Sequence, residues 1–118
     1  MGMVDAFSDD ISAARYLAAI HSQFQTRTPA GDRIALRLIQ VTSPRMTLAS
    51  VDPAGPRYEC FSLIFEGADD TPLSQGLCRL EHDALGVADI FIVPVGAERG
   101  RRQYEAVFNR RVTPSPLP

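Results

Sequence analysis

After residue 21 the chain never returns to a helical period, which confines it to a β-rich fold. Short apolar–polar alternations follow one another as far as residue 109, each ended by glycine, proline, asparagine or aspartate. In Arg33 to Thr42 (RIALRLIQVT), Ile34, Leu36 and Leu38 face one side and Arg33, Ala35 and Arg37 the other. The apolar series then slips by one residue to Ile39 and Val41, which predicts a bulge or bend. Tyr58 to Glu66 places Phe61, Leu63 and Phe65 on one face. Gly76 to His82 sets Cys78, Leu80 and His82 against Leu77, Arg79 and Glu81. Val87 to Val95 is almost continuously apolar and reads as a strand buried on both faces. Pro94 has no N–H for a ladder, so that strand ends or becomes an edge there. Gln103 to Asn109 opposes Tyr104, Ala106 and Phe108 to Glu105 and Val107. With the shorter Phe24 to Thr28, this makes about six strands at regular spacing, the pattern of a mainly β fold, a small antiparallel barrel or sandwich.

The one helical stretch comes first. Residues 8–21 read as an N-terminal helix capped by Ser8, Asp9 or Asp10, with an apolar stripe of Ile11, Ala14, Leu17 and Ala18. Its expected place is over one end or open edge of the sheet. Between the strands, residues 43–57 hold three prolines and a glycine and read as a long loop, with Met46-Thr47-Leu48 as a short edge piece. Residues 1–112 form a single domain on this reading. The tail, Thr113 to Pro118 (TPSPLP), is too proline-rich to join a sheet and is expected to be disordered.

Composition supports a globular chain: 45% of residues are apolar and 22% charged across 118 residues, enough for one domain with one core. All 12 basic residues are arginine. The absence of lysine removes Schiff-base chemistry and the phosphate-loop lysine. Cys60 and Cys78 form no CxxC pair, and the acidic N-terminus lacks the apolar run of a signal peptide. Ile90 to Val95, the longest apolar stretch, is too short to span a bilayer. The expectation is a cytoplasmic protein with two free thiols and no membrane association.

No constellation of residues points to chemistry. Cys78 and His82, four apart on a strand, lie roughly 13 Å apart and cannot share a metal ion. No GxSxG surrounds any serine, Asp69-Asp70 sits in a turn, and no GxGxxG leads from a strand into a helix. No catalytic residue, cofactor or metal site is therefore assigned. His82 reads as structural, its ring tying down the turn at Asp83 to Gly86. The alternative is a small β-barrel ligand-binding protein or enzyme using His82, with Glu81 and Cys78 beside it at the barrel mouth.

Charge is lopsided. Residues 99–118 carry Arg99, Arg101, Arg102, Arg110 and Arg111 against Glu105, a net +4, which leaves −6 on the rest. These five arginines are the expected contact for an acidic protein partner. The overall charge of −2 argues against a nucleic-acid binder. An edge strand near Pro94 or Gln103 leaves pairing with a second copy open.

Four segments carry a resemblance: FSLIFEG (61–67), LSQGLCRLEH (73–82), LGVADIFIVPVG (85–96) and YEAVFNR (104–110). Over about residues 20–110 the chain resembles an uncharacterised bacterial domain family of unknown function, often encoded beside phage-tail-collar-like proteins. Where such relatives have an aromatic after Gln-Gly, this chain has Leu77-Cys78. The resemblance implies a compact β domain, with no established activity, cofactor or catalytic set. Its gene neighbourhood implies a role beside a surface or fibre-like protein. The functional expectation is a non-enzymatic interaction or assembly module.

Overall fold

The computed structural model describes residues 11–42, 45–48, 57–70 and 72–112, with only the backbone at 45–48, 57 and 111–112. One short helix, α1 (Ala13–Ala18), precedes seven strands: β1 (Gln23–Arg27), β2 (Arg33–Val41), β3 (Arg45–Leu48), β4 (Arg57–Ala68), β5 (Gly76–His82), β6 (Gly86–Glu98) and β7 (Arg101–Val112). The sheet order is β2-β1-β5-β6-β7-β4-β3, and β2 also pairs with β4. That second pairing closes six strands into an antiparallel barrel. β3 continues the line of β2 along the same edge of β4, pairing Arg45 with Cys60 where β2 has stopped at Val41 opposite Leu63.

The alternation read from the sequence sets the inside of the barrel. Ile34, Leu36 and Leu38 are buried, as are Phe61, Leu63 and Phe65, and Tyr104, Ala106 and Phe108. The slip after Leu38 is a real bulge: the β2–β4 register shifts between Leu38 and Gln40. That bend lets a strand turn the corner of a closed barrel. Aromatic rings fill the interior, with Phe24 edge-on to Phe65 at 5.2 Å and Phe61 stacked on Phe108 at 5.0 Å. At Gly67 a barrel strand passes so close to β2 that an added Cβ would lie 2.7 Å from Leu36 Cδ2.

One expectation for β6 is corrected. β6 is buried on one face only: Ala88, Ile90 and Ile92 point inward, while Phe91 is 50% exposed. At Pro94 it becomes an edge on the β5 side rather than ending, one of the two outcomes expected there. Its pairing with β5 stops at Ile92, so Pro94 sits where that edge is open, and its missing N–H costs no bond there. A register shift between Pro94 and Gly96 carries the strand on to Glu98, and β7 starts back at Arg101.

The helix differs as well. Within the described residues it covers only Ala13–Ala18, and Ser12 caps it by accepting from Arg15 N–H. Ser8, Asp9 and Asp10 lie outside the described residues. The buried stripe is Ile11, Ala13, Tyr16 and Ala19, whereas Leu17 is 54% exposed. Tyr16 displaces Leu17 because its ring plugs the barrel end, stacking on Phe108 at 5.5 Å and meeting Phe61 at 6.0 Å. Most of the 43–57 loop and the 113–118 tail also lie outside the described residues. No helix among the described residues is long and apolar enough to cross a membrane.

Candidate functional site

The barrel closes unevenly. β4 and β7 pair along their whole length, from Arg57 with Val112 to Ala68 with Arg101. β1 meets β5 at a single residue pair, Gln25 with Glu81. Below that pair the strands part, and Gly76 to Arg79 have no partner in β1. A strand edge without a partner presents backbone N–H and C=O groups to whatever lies beside it.

The gap is a cleft of about 460 Å³, lined among others by Thr26, Arg27, Arg33, Leu73, Leu77 and Cys78. Leu73 is buried and its N–H donates to Tyr104 Oη at 2.9 Å, which pins the segment before β5 across this end of the barrel. On the opposite lip, Arg27 and Arg33 are direct cross-strand partners in the β1–β2 hairpin. Arg27 Nη1 donates to Gly31 O at 3.2 Å, and neither guanidinium reaches a carboxylate among the described residues. Arg79 donates to Asp89 at 3.0 Å.

Next to the cleft, the outer face of β5, β6 and β7 carries apolar side chains where a barrel wall would be polar. Leu77 is 72% exposed and pairs across strands with Phe91. On β7, beyond the Val93–Glu105 pair at which its ladder with β6 begins, Val107 is 73% exposed. Leu77 and Phe91 thus form an exposed apolar cross-strand pair, and β7 adds the exposed Val107.

His82 takes the structural role expected of it. Its Nδ1 accepts from Ala84 N–H at 3.0 Å and from Leu85 N–H at 3.2 Å, which ties down the β5–β6 turn. With Nδ1 an acceptor, Nε2 carries the proton and donates to Ser22 Oγ at 2.8 Å. Ser22 Oγ in turn donates to Ala19 O. The ring also packs on Phe24 at 4.5 Å. Glu81 is exposed on the outer face, away from the imidazole's two bonded nitrogens. Burial pushes the Cys78 thiol up, away from a reactive thiolate. The Cys60 thiol donates to Asn109 Oδ1 at 3.2 Å. Asp69 of the turn pair holds Arg102 at 2.9 Å. No group of three metal-ligating side chains stands together among the described residues.

The five C-terminal arginines do not meet at one place. Arg99 tips the β6–β7 hairpin with a positive φ of 55°, and Arg101 and Arg102 follow it, near Glu66 and Asp69 respectively. Arg110 lies roughly 30 Å further along β7. There it bonds Glu59 at 3.0 Å, and the same carboxylate oxygen accepts from Ala13 N–H at the start of α1. The side chain of Arg111 lies outside the described residues. The cleft residues Arg27, Arg33 and Leu77 were not singled out from sequence. Their signal is an apolar residue on the polar phase of a strand: Leu77 shares a face with Arg79 and Glu81, as Val107 does with Glu105.

A family model described as a domain of unknown function (DUF6916) matches residues 11–108, from the residue before the helix cap to the end of the buried stretch of β7. The chain belongs to the DUF6916 family. That match covers the helix and strands β1–β6 whole and β7 as far as Phe108. No curated protein and no solved structure matches this DUF6916 domain.

Proposed function

We propose that this DUF6916 domain is a non-enzymatic protein-interaction module that holds its partner on the outer face of β5, β6 and β7, beside the open β1–β5 seam. The exposed cross-strand pair of Leu77 and Phe91, with exposed Val107 on β7, carries the reading. Large apolar side chains exposed on neighbouring strands are the kind of surface that marks a contact site. An enzyme or ligand-binding barrel built on His82 is less well supported. Both ring nitrogens are engaged, and aromatic and aliphatic side chains occupy the interior. The resemblance to a bacterial family encoded beside tail-collar-like proteins makes a fibre-like surface protein the first partner to try.

The test is affinity capture with the tagged protein and two double variants, Leu77→Asp with Phe91→Ser and Arg101→Gln with Arg102→Gln. A stoichiometric partner held by the parent and lost only by the first pair supports the apolar face. Loss only by the second pair moves the contact to the arginine hairpin tip. Retention by both defeats the reading.

A further inference from the structure

Resting on that reading, we propose that the β1–β5 seam takes an extended acidic segment of the partner. It adds as a strand along Gly76 to Arg79 and offers a carboxylate to Arg27 and Arg33. Two independent observations meet in one cleft. The first is the strand edge itself: β5 pairs fully with β6 but lacks a β1 partner over Gly76 to Arg79. An extended peptide supplies the missing ladder through its own main chain, while its alternate side chains reach the walls. Leu77 and its cross-strand partner Phe91 give those side chains an apolar neighbour on the outer side.

The second observation is charge. Arg27 and Arg33 stand opposite each other as a like-charged cross-strand pair, an arrangement that is unfavourable by itself. Asp32, next to Arg33 in the turn, bonds Thr28 through its backbone rather than either guanidinium through its carboxylate. The charged side chains lining the cleft are Arg27, Arg33, Arg79 and Glu81, an excess of positive charge. A second copy presenting its own seam would set these arginines against one another, so charge selects an acidic strand from a different protein. No aromatic ring lines the cleft for a nucleic-acid base to stack on.

The experiment is fluorescence anisotropy with dye-labelled synthetic peptides of about six residues, a common strand length. One peptide alternates Val and Glu, a second replaces Glu by Gln, and a third is the Val–Glu peptide N-methylated throughout. The expected result is saturable binding of the first alone, weakened by salt. Arg27→Gln with Arg33→Gln, both at exposed positions, should weaken it by about five- to tenfold, the worth of two surface charge contacts. Equal binding of the Gln peptide, equal binding of the N-methylated peptide, or no effect of the arginine changes overturns the proposal. So does failure of the Val–Glu peptide to bind. If the Leu77 and Phe91 changes still abolish partner capture in that last case, the interaction reading survives and only the acidic-strand inference falls.

Discussion

Replacing Tyr16 by Phe should stabilise the protein, although removing a hydroxyl from a buried tyrosine is usually harmful. The side chain is 1% exposed, and its hydroxyl is the one buried side-chain polar atom among the described residues without a hydrogen-bond partner. Phe keeps the ring contacts to Phe108 and Phe61 and removes only the desolvated oxygen. An unsatisfied buried polar group costs about 1–3 kcal/mol, so a gain near 1 kcal/mol is expected after allowing for a small void. For a domain of this size that is a rise in Tm of about 4 °C. Alkaline pH adds a second arm. Burial raises the phenol well above its ordinary value, so the folded protein keeps the proton while the unfolded chain releases it above about pH 10. A folded-state pKa raised in this way gives stability that is complete below the unfolded value and is lost as pH climbs past it. The advantage of Tyr16→Phe should therefore widen by about 1.4 kcal/mol per pH unit above about pH 10. Urea denaturation at neutral and alkaline pH measures both, with the m-value as the check on two-state behaviour. A loss of stability at neutral pH would refute the reasoning and show that the hydroxyl has a partner in solution.

Three further outcomes follow from the geometry. His82→Ala removes the two turn bonds and the link to Ser22, and should cost about 2–3 kcal/mol in urea denaturation while leaving partner capture at saturating concentration intact. Loss of capture by a fully folded variant would instead give His82 a role in contact. Gly67→Ala drives a methyl onto Leu36 and should cost about 1–3 kcal/mol by thermal unfolding; a neutral result would mean that Leu36 simply moves aside. Alkylation of Cys78 by iodoacetamide should lag a free thiol at pH 8 and slow further with the Val–Glu peptide bound, read by mass spectrometry; labelling indifferent to the peptide would place the peptide elsewhere.

Much of the barrel wall was legible because a period of two is a local signal. Ile34, Leu36 and Leu38 could be assigned inward from ten residues of sequence, and the slip at Ile39 announced the bulge. His82 could be read as a turn fastener because Asp83 to Gly86 follows it directly. Closure could not be read. Barrel and sandwich share the same alternation, and the choice rests on β2 reaching β4 and on the Gln25–Glu81 pair, contacts far apart in the chain. The helix stripe went astray because leucine outranks tyrosine as an apolar residue, while the barrel end called for a ring that could stack on Phe61 and Phe108. Phe91 misled for the opposite reason: apolar on the outer face, it made β6 look buried on both sides. The site was half visible. Leu77 and Val107 each break the polar phase of their strand, but only the β5–β6 register sets Leu77 beside Phe91.

The single ladder pair of Gln25 with Glu81 also bears on how the molecule breathes. β5 is zipped to β6 over seven residue pairs and β4 to β7 over twelve, whereas parting β1 from β5 gives up one ladder pair, with the packing of Phe24 on His82 and the Ser22–His82 bond. The excursion expected at lowest cost is therefore an unrolling, in which the cylinder becomes a curved open sheet hinged on the strongly paired side, with no global unfolding. Amide exchange at Gly76 to Arg79 should run far ahead of exchange along β4 and β7. An added strand at the seam would act as a latch, turning a ring that opens spontaneously into one that stays shut for as long as its partner is bound.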